Sequence, residues 1–162
     1  MTNTNIDMAA VARVSGRVDL QAIRLTEVSL NAPKLAQPGT TLEPEFSQEC
    51  VPLPSEAGFI EVSCAYDFKV HSVGELIAEI KAKYIIRYKL KGEEIPKKDD
   101  IEQFASANGS YHSWPFLREL LFGLTARIGY PPFTLPVLSF ASSAPKSNIS
   151  KSESPITEKA PQ

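Results

Sequence analysis

The chain has little of the chemistry that catalysis or metal binding requires. Its 162 residues include only two histidines and two cysteines, and neither pair has a spacing typical of a metal site. His71 and His112 fall in a predicted turn and a predicted loop, without a cysteine or carboxylate at ligand spacing. The sequence also lacks a Walker loop and the glycine pattern G-x-G-x-x-G. We therefore expect no catalytic residues, no metal site and no cofactor.

Excess positive charge and long apolar segments are lacking too. The formal net charge is −2 at pH 7, which argues against nucleic acid or an anionic membrane as the main partner. No apolar run approaches the roughly 18 residues that a membrane span needs, and the polar start MTNTNIDMAA does not resemble a signal peptide. We expect a cytoplasmic protein with reduced cysteines and no membrane insertion.

The composition divides the chain into one domain and two flanking segments. Residues 1–15 predict a flexible N-terminus. Residues 141–162 are rich in Ser, Pro and Lys, and such a segment cannot bury enough apolar area to offset the entropy of ordering it. We expect a disordered tail there and one folded domain over residues 16–140, which is long enough to bury a core.

Alternation of apolar and polar residues predicts four strands, because side chains of a strand point to opposite faces in turn. The expected strands cover residues 18–31, 41–50, 60–70 and 76–90. In the first strand the alternation changes phase at Thr26-Glu27, which predicts a bulge. In the second strand Pro44 predicts an edge position or a bulge, since proline cannot donate to the ladder.

Two helices and an apolar strap follow the strands. Asp99 and Asp100 begin a short helix that we expect to end at Gly109. A longer helix has Pro115 in its first turn and ends at Gly129, and the prolines after it keep the next segment extended. The order of elements predicts an α+β fold, in which both helices pack on one face of a four-stranded antiparallel sheet.

The longer helix is apolar around most of its circumference. One stripe, at spacings of three and four, consists of Trp114, Leu117, Leu121, Leu124 and Ile128. Phe116, Leu120 and Phe122 lie outside that stripe. One stripe is enough to pack on the protein's own sheet, so these three residues predict an oligomer interface.

Several segments resemble the SecB export chaperones, and in particular the SecB-like chaperones that accompany some toxin–antitoxin pairs. Residues 28–33 read Val-Ser-Leu-Asn-Ala-Pro, the long helix opens with Pro115, Phe116 and the pair Arg118-Glu119, and residues 132–136 form a proline-rich crossover. Residues 77–80 add a weaker match, and the resemblance covers roughly residues 17–140. The family's second long helix and its C-terminal SecA-docking segment are not matched.

The resemblance implies a homotetramer, a dimer of dimers, that holds non-native polypeptides without ATP and keeps them from aggregating. The implied clients are preproteins for export or an antitoxin. The implied client groove lies between the long helix, the strap and the second strand, and its apolar candidates are Leu42, Phe46, Val51, Leu53, Phe133, Leu135 and Leu138. The positions that match a SecA contact in the family are Glu27, Ile77 and Glu79.

Each of these assignments has an alternative. Core packing explains the groove candidates equally well. Ile77 and Ile85 interrupt the polar face of the fourth strand, either because a loop covers them or because they form an exposed binding spot. Lys81 and Lys83 make part of that face basic, unlike a surface adapted to an acidic-patch contact. For the whole chain, the alternatives are a small-molecule-binding α+β domain and an inert oligomeric scaffold.

Overall fold

The computed structural model describes residues 6–36 and 39–138, so the tail expected at residues 141–162 lies outside the described part. The elements are, in order, α1 (Met8–Ser15), β1 (Val18–Asn31), β2 (Glu43–Leu53), β3 (Phe59–Ser72), β4 (Glu75–Leu90), α2 (Lys98–Phe104), a π-helical turn (Ala105–Gly109) and α3 (Ser110–Arg127). The predicted α+β fold with one four-stranded antiparallel sheet is confirmed.

The sheet has the strand order β1-β4-β3-β2, which places β1 and β2 at its two edges. The edge position predicted for β2 from Pro44 is therefore correct. A register shift between Leu25 and Glu27 confirms the bulge predicted in β1. β3 and β4 are joined by a two-residue turn, Val73-Gly74, in which both residues have positive φ values, 51° and 77°. This backbone is typical of the tight turns that match the twist of a hairpin.

The core lies between one face of the sheet and the helices. Alternate residues of β3 and β4 point to this face and are buried. The largest fully buried side chains on it are Tyr88, Phe68, Ile80 and Ile86, and the helices contribute Phe104, Leu117 and Leu121. Within the described residues, no helix combines the length and the apolarity that crossing a membrane requires.

Gly109 does not end a helix, contrary to the sequence prediction. α2, the π-helical turn and α3 form one continuous helical segment, so Pro115 lies in the helix interior and not in a first turn. A Cβ atom at Gly109 would lie 2.8 Å from Cys64 Sγ and 2.9 Å from Val62 Cγ1. Glycine stands here because the helix backbone approaches β3 too closely for any side chain.

The end of α3 agrees with the prediction. Gly129 has a φ of 77°, its N–H donates to the Ala126 carbonyl at 3.2 Å, and the Tyr130 N–H donates to the Thr125 carbonyl at 3.0 Å. These two bonds form a Schellman motif, which satisfies the last helical carbonyls and turns the chain away from the helix axis.

The N-terminus departs from the expectation of a flexible segment over residues 1–15. Residues 8–15 form α1, whose N-cap Asp7 accepts a hydrogen bond from the Ala9 N–H at 2.9 Å. Arg13 donates to both carboxylate oxygens of Asp100, at 3.0 and 2.7 Å. The buried residues of α1 are Ala10, Val11 and Val14. This small apolar face binds α1 to the domain, so the expectation is wrong for residues 8–15.

Candidate functional site

The strap (residues 130–138) begins at a buried tyrosine that fixes it to the sheet. Tyr130 Oη lies 2.7 Å from the Lys34 carbonyl oxygen and 3.0 Å from the Ile77 carbonyl oxygen, and its proton is shared between them. These contacts bring together the segment after β1, the start of β4 and the start of the strap. The strap is therefore anchored at the end of the sheet where β3 turns into β4.

Ile77 belongs to this anchored region and is only 4% exposed. A register shift between Val70 and His71 leaves Ile77 without a partner in the ladder and pairs Leu76 with His71. The extra residue reverses the alternation, so Ile77 points into the core and Leu76 becomes 45% exposed. The idea that Ile77 is an exposed apolar spot, available to SecA, is wrong for this reason.

The apolar side chains of the strap also pack inward. The Phe133 ring lies against Phe68, with ring centroids 4.5 Å apart, and the Phe133 N–H donates to Thr125 Oγ1 at 2.9 Å. Leu135 is only 3% exposed and belongs to the hydrophobic core. The prolines keep the strap extended, but they do not hold these side chains away from the protein. Leu135 is a core residue in this structure and not a free client contact.

Trp114 marks the point where α3, β2 and the strap meet. Its Nε1 donates to the Pro136 carbonyl at 2.8 Å, and its ring contacts Phe46 edge-on with centroids 5.5 Å apart. Phe46 also stacks on Tyr66 at 6.0 Å. We call Phe46, Tyr66 and Trp114 the Phe46 site. Because Phe46 is only half-buried, the site presents an aromatic surface beside the strap.

The remaining groove candidates are divided by the structure. Leu42 and Leu138 are half-buried and pack against the core. Val51 pairs with Ser63, whereas Phe46 pairs with Phe68, so alternation places Val51 on the other face of the sheet. Leu53 lies seven residues beyond Phe46, about 23 Å along an extended strand. The seven candidates therefore do not form one groove in a single chain.

A second apolar surface, the β1–α3 face, lies between β1 and α3. Ile23, Leu25, Phe116, Leu120 and Phe122 line a groove of about 470 Å³. Phe116 is 47% exposed and Phe122 is 51% exposed. The face continues along β1 through Leu20, Val28 and Leu30, which are also exposed. The three residues predicted for an oligomer interface thus lie together beside an apolar row of β1.

The apolar row of β1 is a feature that the sequence pattern did not predict. Leu20, Leu25, Val28 and Leu30 pair with buried β4 residues, so they point to the helix side of the sheet. They remain exposed because the helices of this chain do not extend far enough to cover β1. The available signal was the number of apolar residues in the first predicted strand.

The opposite face of the sheet is polar. A trough of about 650 Å³ crosses all four strands and is lined by residues such as Glu27, Asp67, Lys81 and Lys83. Glu27 accepts from Lys83 Nζ at 3.0 Å, and Glu79 is ion-paired with Lys81 at 3.0 Å. The two carboxylates matched to a SecA contact are therefore partly neutralised by lysines of β4.

Titratable groups do not form a catalytic centre among the described residues. No group of three or more His, Cys, Asp or Glu residues in residues 6–36 and 39–138 could hold a metal ion. His112 Nδ1 lies 2.8 Å from Tyr88 Oη, and partial burial lowers the pKa of His112. Burial raises the pKa of Tyr88. Both residues contribute to packing between β4 and α3.

Comparison with known proteins agrees with the resemblance expected from the sequence. No family model matches the chain. This chain is 28% identical over 156 residues to the SecB-like chaperone Rv1957 of Mycobacterium tuberculosis strain H37Rv. The aligned region covers 83% of this chain and 86% of the relative. The SecB-like chaperone MT2006 of strain CDC 1551 has the same identity and coverage. Relatives of the chaperone type point to a non-enzymatic role.

A solved structure matches the fold. The Mycobacterium tuberculosis Rv1957 SecB-like chaperone, in complex with a ChAD peptide from the Rv1956 HigA1 antitoxin, superimposes with a TM-score of 0.74. The match covers 81% of this chain and 98% of that chain, at 20% identity. The fold expected from the resemblance is confirmed, as is the resemblance to SecB-like chaperones associated with toxin–antitoxin systems.

Proposed function

We propose that this chain, which resembles the SecB-like chaperones in sequence and in fold, is an ATP-independent holdase that binds non-native polypeptides, among them an antitoxin. The observation that carries the proposal is the similarity to Rv1957 over 83% of the chain. The fold match to Rv1957 bound to an antitoxin peptide supports the same conclusion. Preproteins for export are the second client class in the proposal.

The β1–α3 face supports a proposed homotetramer, a dimer of dimers. Phe116 and Phe122 project from α3 beside the apolar row of β1 and are each about half exposed, whereas Leu120 between them is partly buried against the core. Burying an exposed phenylalanine side chain stabilises an assembly by roughly 1.5–3 kcal/mol. β1 is also an edge strand, so its free backbone groups are available to pair with a second copy. The face is assigned to assembly.

The Phe46 site is assigned to clients. Phe46 is half-buried beside Trp114, and Leu42 and Leu138 add half-buried apolar surface. A client that pairs with edge strand β2 would contact Phe46 on the helix side of the sheet, and farther along it would contact Val51 and Leu53 on the opposite face. Phe133 holds the strap on the sheet through its ring contact with Phe68. One such site binds weakly, but four linked copies in a tetramer give high avidity for an extended chain.

SecA remains a proposed partner, and its contact would use Glu27 and Glu79 without the buried Ile77. These carboxylates lie on the polar face, away from both apolar surfaces, so a SecA contact would not compete with client binding. A cytoplasmic location is part of the same proposal. It is supported by the similarity to the SecB-like chaperone Rv1957.

A test of holding uses a chemically unfolded protein diluted into the chaperone without nucleotide, with light scattering as the readout. Wild-type chain should suppress aggregation, and Phe46→Ser should weaken suppression by about tenfold or more, because a buried aromatic anchor is worth well over 1.4 kcal/mol. Val73→Ser is the matched control, since Val73 is an exposed apolar residue in the β3–β4 turn.

The outcomes separate the proposal from its alternatives. If the wild-type chain forms a tetramer but does not suppress aggregation, the inert scaffold is correct. If the wild-type chain binds small molecules and no polypeptide, the alternative of a small-molecule-binding α+β domain is correct. If Phe46→Ser holds clients as well as Val73→Ser does, the client site lies elsewhere.

A further inference from the structure

Cys50 and Cys64 stand directly opposite each other in the antiparallel ladder between β2 and β3. Residues in such a pair have Cα atoms about 4.5–5.5 Å apart, which is within the range of about 4.4–6.8 Å found for disulfides. Both side chains point to the helix side of the sheet, and both thiols are free. The backbone thus holds two thiols at a separation that a disulfide can span.

The two thiols differ in access and acidity. Cys50 lies on edge strand β2 and is half-buried, whereas Cys64 is fully buried. Cys50 Sγ lies 3.4 Å from Ser110 Oγ and 4.0 Å from Tyr66 Oη. The pKa of Cys50 is lowered, mainly because the neighbouring Cys64 thiol stabilises its thiolate, and the pKa of Cys64 is raised by Cys50 and by burial. Cys50 is therefore the thiol that an oxidant reaches and that reacts as a thiolate.

Gly109 closes the space above the pair. A Cβ atom at this position would lie 2.8 Å from Cys64 Sγ and 3.2 Å from Cys50 Cβ, so the helix backbone already contacts both residues. An external thiol has no room to attach to Cys64. The sulfur most accessible to an oxidised Cys50 is that of Cys64.

We propose that Cys50 and Cys64 are a redox-active dithiol that a peroxide oxidises to a reversible cross-strand disulfide. The Cys50 thiolate attacks the peroxide, an S–O bond forms, the O–O bond breaks, and hydroxide leaves and takes up the thiol proton as water. Cys64 then attacks the sulfenic sulfur of Cys50, an S–S bond forms, and the oxygen leaves as a second water. Two electrons pass from the thiols to the peroxide, and a dithiol reductant reverses the change.

The disulfide would change the Phe46 site, a consequence that rests on the proposed function. Forming it draws Cys50 Sγ away from Ser110 and Tyr66. Tyr66 stacks on Phe46 and donates a hydrogen bond to Ser113 Oγ at 2.5 Å, so a shift of Tyr66 reaches the aromatic surface directly. Trp114 belongs to that surface and is the single tryptophan of the sequence, which makes its fluorescence a specific reporter.

The chemical test does not involve a client. Treating the full chain with stoichiometric hydrogen peroxide should lower its intact mass by about 2 Da, the two hydrogens of the thiols. Peptide mapping should then find Cys50 linked to Cys64, and dithiothreitol should restore both the mass and the Trp114 emission. An unchanged mass, or a disulfide between two chains, would overturn the proposal.

Two variants test the roles of the thiols. Cys64→Ala should stop at a sulfenic acid on Cys50, trapped by dimedone, whereas Cys50→Ala should react with peroxide at least tenfold more slowly. Circular dichroism should show that both variants have the secondary structure of the wild-type chain. Equal reactivity of the two variants would refute the assignment of Cys50 as the attacking thiol.

Client holding is measured separately on the reduced and the oxidised wild-type chain. A change of several-fold that dithiothreitol reverses supports the coupling to the Phe46 site. Equal holding in both states refutes the coupling and leaves the dithiol chemistry intact. If the reduced chain holds no client, the proposed function fails. The mass measurement still tests whether Cys50 and Cys64 form a disulfide.

Discussion

A glutamate in place of Phe122 should separate assembly from folding. Phe122 is 51% exposed and lies on the β1–α3 face, outside the core stripe of α3. A phenylalanine buries about 150–250 Å² when fully covered, so an interface that covers the exposed half removes roughly 100 Å² from water. At about 25 cal/mol per Å² this is worth about 2.5 kcal/mol per protomer.

A two-fold interface uses the residue twice, so the loss of apolar burial alone is about 5 kcal/mol per pair of protomers. This corresponds to a dissociation constant raised by roughly three to four orders of magnitude. Desolvation of the new carboxylate adds to the loss. Phe122→Glu should therefore remain a dimer or monomer at micromolar concentration, whereas we expect the wild-type chain to form the proposed tetramer.

Sedimentation velocity is the assay, with thermal unfolding of each variant as the test of folding. Val73→Glu is the matched control, because Val73 is 87% exposed and lies in the β3–β4 turn. It should leave the sedimentation coefficient unchanged and should not lower the unfolding temperature, because the φ of 51° at Val73 is unfavourable for a β-branched residue. A monomeric wild-type chain, or a tetrameric Phe122→Glu variant, would refute the assignment of the β1–α3 face to assembly.

Three further predictions follow from buried contacts. Gly109→Ala gains about 1 kcal/mol of helix propensity but forces overpacking against Cys64 Sγ at 2.8 Å, so we expect net destabilisation of about 1–2 kcal/mol. Denaturant unfolding should measure it, and adding Cys64→Ala should relieve part of it. Leu135→Ala should destabilise the domain by about 2–5 kcal/mol, as expected for a core leucine. An unfolding midpoint equal to that of the wild-type chain would show that Leu135 is not a core residue. His112 has a lowered pKa because of burial, so the unfolded state binds more protons than the folded state as the pH falls below about 6.5. Its contribution to stability should be present above that pH and be lost below it. The free energy of unfolding should therefore fall less steeply between pH 7.5 and 5.5 in His112→Gln than in the wild-type chain.

The strands were predictable because a period of two identifies them without tertiary information. β3 and β4 alternate over most of their lengths, except at the register shift beside Ile77, and the bulge in β1 appeared as a change of phase at Thr26-Glu27. α1 was not predictable in this way. Its apolar face consists of small residues such as Ala10 and Val14, which become significant only once α2 provides a surface.

The candidate site was predictable only where a residue's surroundings follow from its own element. Phe116 and Phe122 were identified because helix periodicity separates them from the core stripe. Leu135 was not, since an extended strap has no period that tells its inner side from its outer side. The pairing of Cys50 with Cys64 depends on the register between two strands, which composition does not specify.

The strand order β1-β4-β3-β2 has a consequence for synthesis on the ribosome. β1 finds its partner in the sheet only when β4 is complete, and about 60 residues separate Asn31 from Leu90. At about 5–20 residues per second, the apolar row of β1 waits roughly 3–12 s for that partner. During those seconds the nascent chain exposes an unpaired, apolar, extended segment. It is then itself the kind of polypeptide that its finished form is proposed to protect.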